Sequence, residues 1–308
     1  MIKYHKMENG RLTEIKNYEA GCWMRCIAPN EEEINYLMNT IGIDADLLRS
    51  SLDEEETTHI DSDGENTLII IDSPVVDKTG TNFTYYTNPL SIILTPENII
   101  TIALKENSIM DEFAEGVIRS SNPDNHTRFA LQIILRNASK YLQYLTQINR
   151  ITERVEEKLK QTMQNEDLIQ LLEIEKSLVY FSSSLKSING MLRKLSRGKH
   201  IILGECEQDL LEDVIIEINQ ASEMSEIYLN ILSNSMEAFS SLISNNLNVS
   251  MKYLASITLI LSMPTIVSGI YGMNNPGIPF MSSNWAPFIF IFLSMFITWI
   301  VLRHKKMF

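Results

Sequence analysis

Residues 248–275 read N-V-S-M-K-Y-L-A-S-I-T-L-I-L-S-M-P-T-I-V-S-G-I-Y-G-M-N-N. From Tyr253 to Leu302 the chain carries no Asp, Glu, Lys, Arg or His. An uncharged apolar run of roughly 18 residues or more can cross the hydrocarbon core of a bilayer, about 30 Å thick, as a helix. Two such runs follow one another here, separated by a turn rich in Gly, Asn and Pro at 271–287. The stretch therefore predicts a helical hairpin in a membrane.

The charge of the chain lies outside this hairpin. The formal net charge is −13 over 308 residues, yet the part from Lys252 onward contains no acid. An acidic upstream part argues against a nucleic-acid partner, because phosphates need basic residues. The acidity is compatible with cation binding or with solubility alone.

The first part of the chain, residues 1–120, alternates strand and helix signals. Apolar, β-rich runs predict strands at 22–28, 67–76, 85–94 and 98–104, and a turn signal at 95–98 predicts a hairpin between the last two. Asn30 followed by three Glu predicts a helix start, since negative charge complements the helix dipole. We expect an α/β domain with a small sheet.

Three long helical patterns follow. Apolar residues at helical spacing predict helices over 128–162 and over 165–196. The third pattern runs from 206 to 270 with no Pro before Pro264, which would be about 100 Å if continuous. Because it enters the membrane stretch without a break, we interpret it as both a stalk and the first transmembrane helix.

One side of this third helix carries small and hydroxylated residues. Steps of four and three from Glu237 give Ser241, Ser244, Asn248, Met251, Ala255, Thr258, Ser262, Thr265 and Gly269. A repeat of about 3.5 residues defines one seam of a supercoiled bundle. Small residues also occur where two membrane helices simply approach closely. The periodicity alone leaves both interpretations open, helix packing and the lining of an aqueous pore.

The tetrapeptide Tyr271-Gly272-Met273-Asn274 follows this helix directly. In this position, before a second apolar helix and a basic tail, it resembles the CorA family of magnesium and divalent-cation channels, the two-transmembrane Gly-Met-Asn proteins. The resemblance covers essentially the whole chain. It implies an α+β membrane protein with an N-terminal α/β cytoplasmic domain and a long helical stalk. The stalk is continuous with the first of two C-terminal transmembrane helices, in a funnel-shaped homopentamer.

The resemblance also implies roles for individual pore residues. Gly272, Met273 and Asn274 would form the outer entrance, where neutral oxygens can hydrogen-bond to the hydration shell that Mg²⁺ sheds reluctantly. Met251 and Leu254 would form a hydrophobic gate, which stops ions by dewetting. The other implied pore-lining residues are Asn248, Thr258, Ser262, Thr265 and Gly269.

A regulatory Mg²⁺ site between neighbouring cytoplasmic domains is a further implication of the resemblance. The candidate acids are Asp213, Glu212 and Glu217 on the stalk and Asp53 and Glu54 in the N-terminal domain. The chain departs from the family at 47–50, which reads L-L-R-S and has Arg49 and Ser50 in place of an acidic pair. A solvated helix face and a charged loop are the alternative interpretations of these acids.

These features predict six segments. They are the N-terminal domain (1–120), the long cytoplasmic helices (121–247), the first transmembrane pore helix (248–273), the external loop (274–285), the second transmembrane helix (286–302) and a basic cytoplasmic tail (303–308). The loop has no Lys or Arg, whereas Arg303, Lys305 and Lys306 follow the second helix. The positive-inside rule therefore predicts that the tail is cytoplasmic and the loop outside. The resemblance implies a multi-pass plasma (cell inner) membrane protein with both termini cytoplasmic. The loop also has no acid, which weakens its attraction for cations.

The predicted function is a passive Mg²⁺ channel or transporter driven by the membrane potential, with Co²⁺ and Ni²⁺ as further ions. We expect no cofactor; Mg²⁺ is the transported and regulatory ion, and the partners are other copies of the chain and the lipid bilayer. Two alternatives stay open, a Zn²⁺ transporter of the same family and a non-conducting membrane-anchored scaffold or sensor. An enzyme is disfavoured, because the sequence has no Gly-rich phosphate loop, nucleophile elbow or His-based metal motif.

Overall fold

The computed structural model describes residues 1–8, 10–79, 82–118, 121–198, 201, 203–273, 277–280, 283, 285–305 and 307. The chain falls into two compact units, Met1–Asn234 and Ser235–Phe308. The finer division into six segments stays a prediction.

In the described part of the first unit, seven strands form one sheet. Its strands are β1 (Ile2–Glu8), β2 (Arg11–Ile15), β3 (Trp23–Ile27), β4 (His59–Asp63), β5 (Asn66–Thr79), β6 (Asn82–Leu94) and β7 (Ile99–Ala103). The order across the sheet is β2-β1-β3-β7-β6-β5-β4. Strands β3 and β7 run parallel, with Trp23 opposite Ile99, and the other neighbouring strands run antiparallel.

The four strands that the sequence predicts are β3, β5, β6 and β7, and the last two form the predicted hairpin. The sheet is larger than expected because β1, β2 and β4 extend it at its edges. These three strands mix charged and apolar residues, as in I-K-Y-H-K-M-E for β1. Strands that are solvated on one face often have this composition, and they lack the continuous apolar run of a strand that is buried on both faces.

The described residues also form seven helices. They are α1 (Glu31–Asn39), α2 (Ala45–Ser51), α3 (Ser108–Ala114), α4 (His126–Thr162), α5 (Asn165–Leu195), α6 (Glu205–Tyr271) and α7 (Ala286–His304). The predicted start of α1 is confirmed as a capping box, in which Asn30 and Glu33 each accept a hydrogen bond from the backbone N–H of the other. The long patterns predicted by helical spacing correspond to α4, α5 and α6.

The sheet of the first unit is covered on both faces. Cys22, Met24 and Cys26 belong to a core shared with helices α1 and α2. Trp23 alternates with them and packs against the other face, where its ring lies 6.4 Å from Phe113 of α3 and 5.4 Å from Phe129 of α4. The alternation in β3 thus places the sheet between two helical layers.

Within the first unit, α6 packs against α5. Its residues Leu211, Val214, Ile218 and Ala221 are buried. Ser225 Oγ donates a hydrogen bond to the backbone oxygen of Leu178 at 3.3 Å. Apolar residues three and four positions apart form one stripe along the helix, and this stripe faces the unit's interior.

The second unit contains the end of α6 and all of α7. Both helices are long and apolar enough to cross a membrane. Helix α6 ends at Tyr271, and α7 continues to His304, two residues beyond the predicted end of the second span.

Candidate functional site

One side of α6 in the second unit contacts α7 and the residues after it. Tyr271 stacks on Phe290 with ring centroids 6.1 Å apart. Ser256 is buried, and its Oγ donates to the backbone oxygen of Met307 at 3.5 Å. Ile260 lines an apolar groove together with α7 side chains. At about 100° per residue, Ile260 and Tyr271 lie within about 60° of Ser256 around the helix axis, so these three residues define the α7-facing side.

The predicted pore seam lies on the opposite side of α6. Around the helix axis, the following residues lie about 160–240° from Ser256: Met251, Leu254, Thr258, Ser262, Thr265 and Gly269. Asn248 lies at about 280°, at the edge of this side. The side chain of Met251 is 57% exposed and that of Leu254 is 61% exposed. Within the described part of the chain, this side of α6 is largely uncovered.

Two hydroxyls on the uncovered side are held by their own helix. Thr258 Oγ1 donates to the backbone oxygen of Leu254 at 2.8 Å. Ser262 Oγ donates to the backbone oxygen of Thr258, also at 2.8 Å. Because a hydroxyl has one proton and two lone pairs, each oxygen keeps the capacity to accept a hydrogen bond. Such an oxygen can bind the water of a hydrated cation.

The outer end of α6 is the predicted mouth. The N–H of Gly272 donates to the backbone oxygen of Ser268 at 2.9 Å, and the N–H of Met273 donates to that of Ile270 at 3.2 Å. Helical bonding thus continues past Tyr271 and tightens in its last turn. Carbonyls at the end of a helix lack partners within it and carry the negative end of the dipole, which favours cations.

A side chain at Gly272 would meet the preceding turn of its own helix. A Cβ at this position would lie 3.1 Å from the backbone oxygen of Ser268 and 3.7 Å from that of Gly269. Met273 is 59% exposed beyond it. Asn274, the residue predicted to bind the hydrated ion, lies outside the described residues.

The predicted regulatory acids of α6 lie in the first unit. Glu212 and Asp213 are exposed, and Glu217 is half-buried. Among the described residues, no three His, Cys, Asp or Glu side chains come together as a group that could hold a metal ion. The predicted acids therefore do not form a metal cluster within one chain.

The predicted acids of the N-terminal domain lie just after α2. Asp53 and Glu54 line a surface groove together with Arg49. Glu54 pairs with Lys105 at 3.3 Å, and Asp53 Oδ1 accepts a hydrogen bond from the backbone N–H of Glu55 at 2.9 Å. Two basic side chains thus accompany these acids, and their positive charge opposes the binding of a further cation.

The structure also reveals contacts that the sequence interpretation missed. Tyr271 Oη donates to the backbone oxygen of Pro279 at 3.1 Å, and the ring of Phe280 lies 6.5 Å from that of Phe290. Tyr271 belongs to the Tyr-Gly-Met-Asn motif, but the motif alone predicts no contact for its side chain. Its partners Pro279 and Phe290 come later in the chain, and no local sequence pattern predicts that they return to Tyr271.

Comparison with known proteins identifies the family. The model of the CorA-like Mg²⁺ transporter protein family matches residues 18–303, nearly the whole chain. The chain belongs to the CorA family. As a family member it is a divalent-cation transporter, with α6 and α7 as its two candidate membrane spans.

Relatives of this CorA-family chain agree in sequence and in fold. The cobalt/magnesium transport protein CorA of Methanocaldococcus jannaschii is 28% identical over 261 residues, which are 83% of this chain and 81% of that protein. The complete structure of that organism's CorA magnesium transporter matches with a TM-score of 0.81 at 22% identity, covering 99% of this chain and 96% of the other. The ZntB cytoplasmic domain from Vibrio parahaemolyticus matches with a TM-score of 0.60 at 13% identity, covering 80% and 97%. The structural likenesses show a shared fold.

Proposed function

We propose that this CorA-family chain is a passive Mg²⁺ channel driven by the membrane potential, with Co²⁺ and Ni²⁺ as further permeant ions. The observation that carries the proposal is the uncovered side of α6, opposite α7. On a membrane helix, a polar side facing lipid is unfavourable, whereas the same side facing a bundle axis can line a water-filled path. An inside-negative potential favours cation uptake by about 2.3 kcal/mol per charge per 100 mV, and by twice that for a divalent ion.

The closed path needs several copies of the chain. We propose a homopentamer in the plasma membrane with both termini cytoplasmic, in which five copies of α6 turn their uncovered sides toward one axis. Met251 and Leu254 then form an apolar constriction that excludes water when closed. Asn248, Thr258, Ser262, Thr265 and Gly269 supply the polar parts of the path.

The ion-receiving ring is assigned to Gly272, Met273 and Asn274. Two features support this: the carbonyls at the end of α6 and the amide side chain of Asn274, which follows Met273 in sequence. Mg²⁺ keeps several waters when bound. Neutral oxygens can hold that hydrated ion without stripping it, and the loop needs no carboxylate to do so.

Regulation by internal Mg²⁺ is proposed at contacts between neighbouring copies. Asp213, Glu212 and Glu217 of one copy would face Asp53 and Glu54 of the next. Lys105 pairs with Glu54, and Arg49, which pairs with Asp46, lines the same groove, so we propose a site weaker than one made of carboxylates alone.

The test is uptake into liposomes that contain the purified full-length chain and a trapped Mg²⁺ indicator. A K⁺ gradient with valinomycin sets an inside-negative potential, and no ATP is present. We expect potential-dependent Mg²⁺ uptake by the wild type and a loss of about tenfold or more in Asn274→Ala, since hydrogen bonds to a charged partner are strong. Asn284→Ala removes an amide from the same loop and is the matched control. Equal uptake in Asn274→Ala and wild type contradicts the assignment of the mouth.

The same liposome assay also tests the proposed regulation by internal Mg²⁺. Raising Mg²⁺ on the cytoplasmic side closes the wild-type channel, whereas Asp213→Ala keeps conducting, because a site that only closes the pore is not needed for conduction. Loss of uptake in Asp213→Ala at normal incorporation contradicts this role.

The ion series decides between the alternatives. If the liposomes take up Zn²⁺ but not Mg²⁺, the chain is a Zn²⁺ transporter of the same family. The shared fold with the ZntB cytoplasmic domain is compatible with this alternative. Absence of flux with Mg²⁺, Co²⁺, Ni²⁺ and Zn²⁺ assigns it to a scaffold or sensor.

A further inference from the structure

Four residues at the outer end of the second unit form one contact set, here called the mouth clasp: Tyr271, Pro279, Phe280 and Phe290. The phenol of Tyr271 donates to the Pro279 carbonyl at 3.1 Å. The Tyr271 ring stacks on Phe290 at 6.1 Å with 27° between the planes. Phe280 contacts the same Phe290 ring at 6.5 Å. The clasp thus ties α6, the loop and α7 together through one shared aromatic ring.

The backbone of the clasp is unusual at Phe280. Its φ is +60°, in the left-handed region that bulky residues rarely adopt. Its carbonyl accepts a hydrogen bond from the N–H of Ser283 at 3.0 Å. A residue persists in such a conformation when its surroundings hold it there, and functional sites are where this often occurs. The hydrogen bond to the neighbouring Pro279 and the ring contact with Phe290 are two such restraints.

The clasp lies directly beside the proposed ion-receiving ring. Tyr271 is followed by Gly272, whose N–H donates to the Ser268 carbonyl at 2.9 Å and so continues the helix. The end of α6 is therefore restrained at two consecutive residues, by the side chain of Tyr271 and by the backbone hydrogen bond of Gly272.

We propose that Tyr271 is a positioning residue for cation binding at the mouth. Its hydroxyl holds Pro279, and with it the loop, against the end of α6, and this sets where the Gly272 and Met273 backbone meets an arriving hydrated divalent cation. The inference rests on the proposed function, because it needs the mouth to be the place where the ion binds. A plain interfacial anchor would use the ring of Tyr271 in the same way, but it would not need the hydrogen bond to Pro279.

The experiment measures initial Mg²⁺ uptake against external Mg²⁺ in liposomes containing the full-length chain. Tyr271→Phe keeps the ring and its stacking and removes only the hydroxyl. We expect the half-saturating Mg²⁺ concentration to rise about fivefold, in keeping with the loss of one neutral hydrogen bond, with little change in the maximal rate. Thr298→Val is the matched control, because it removes a hydroxyl on α7 that donates to the Ser294 carbonyl of its own helix at 2.9 Å.

A second measurement tests whether Tyr271 acts through the clasp. Phe280→Ala removes the ring that rests on Phe290, and it should also raise the half-saturating concentration. If both residues act on one loop position, the half-saturating concentration of the double variant should rise by less than the product of the two single fold-changes. Independent, multiplicative shifts overturn the clasp. So does a Tyr271→Phe variant whose half-saturating concentration equals that of the wild type, or one that loses only maximal rate.

The outcomes separate this inference from the proposed function. Wild-type liposomes without Mg²⁺ uptake contradict the Mg²⁺ channel, and the clasp is then tested with whichever of Co²⁺, Ni²⁺ or Zn²⁺ is carried. No flux with any of these ions overturns both. Wild-type Mg²⁺ uptake with an unshifted Tyr271→Phe variant overturns the clasp alone.

Discussion

Ser262 donates its hydroxyl proton to the backbone oxygen of Thr258 at 2.8 Å, on the side of α6 that faces away from α7. Thr258 makes the same bond to Leu254, one turn earlier. The two hydroxyls therefore lie one turn apart. Each donates its proton within the helix, and each hydroxyl oxygen can still accept a hydrogen bond from outside the helix. They follow the apolar pair Met251 and Leu254, so the exposed side of α6 changes from apolar to hydrogen-bonding within one turn.

This relationship predicts the effect of Thr258→Val. Valine keeps the shape of threonine and removes the oxygen, so the apolar constriction at Leu254 becomes one turn longer and harder to wet. We expect Mg²⁺ uptake to fall about fivefold or more, as expected for the loss of hydrogen bonds to the ion's waters. The liposome assay measures this fall as the rate of Mg²⁺ uptake. Ser294→Ala on α7, whose hydroxyl donates to the Ile291 carbonyl at 2.9 Å, should leave uptake unchanged, and an equal loss in both variants would show that the hydroxyls matter only for helix packing.

Gly272→Ala tests the turn that ends α6 at the mouth. The new Cβ would lie 3.1 Å from the Ser268 carbonyl of the preceding turn, so that carbonyl must give by a few tenths of an ångström. We expect Mg²⁺ uptake to fall although the protein still inserts and assembles, as judged by size-exclusion chromatography in detergent. The control is Gly190→Ala in the interior of α5, where alanine favours the helix by about 1 kcal/mol. Normal uptake in Gly272→Ala contradicts a restrained mouth.

Arg49→Gln tests the electrostatics of the proposed regulatory site. Arg49 shares a groove with Asp53 and Glu54, so removing its charge lowers the repulsion of an incoming cation. We expect the internal Mg²⁺ concentration that closes the channel to fall about two- to fivefold, the range of exposed charge pairs. The same liposomes measure it with Mg²⁺ varied on the cytoplasmic side. Arg193→Gln, at the last turn of α5, is the charge-matched control; a rise in the closing concentration for Arg49→Gln contradicts the site.

His5 predicts how the stability of the first unit depends on pH. It is 2% exposed, and burial, opposed by Glu14 and aided by Arg25 and Lys3, lowers its pKa from 6.5 to about 4. Between these values the unfolded chain binds a proton that the folded chain does not. The free energy of unfolding should therefore fall as the pH drops from 6.5 toward 4, by at most about 1.4 kcal/mol per pH unit.

His5→Phe should flatten this dependence, because phenylalanine can keep the ring contact with Trp23, 4.9 Å away, without titrating. Denaturant unfolding of the full-length chain in detergent at pH 7, 6 and 5 measures the effect. His59→Phe, at a half-buried position in β4, controls for the loss of a histidine. An unchanged slope in His5→Phe would mean that other groups carry the acid sensitivity.

The two apolar helices of the second unit could be predicted, because their signal is local. An uncharged stretch from Tyr253 to Leu302 with a Gly/Asn/Pro turn inside it has few alternatives to two spans. The capping box at Asn30 and the long Pro-free helices α4 and α5 are equally local. Strands β1, β2 and β4 are not predicted, because their side chains are partly solvated and alternate charged with apolar residues. The parallel pairing of Trp23 with Ile99 joins residues far apart in the chain, and no local pattern encodes it.

The sequence by itself determined the composition of the candidate site, with a polar seam on one helix and a Gly-Met sequence at its end. Only the tertiary structure decided which side of α6 faces α7 and which side stays uncovered, because helical periodicity marks a stripe but not its partner. It also decided that Tyr271 reaches Pro279 and that Lys105 pairs with Glu54. Such contacts depend on how a loop returns and how helices rotate, which are settled by packing across the fold and not by neighbours in the chain.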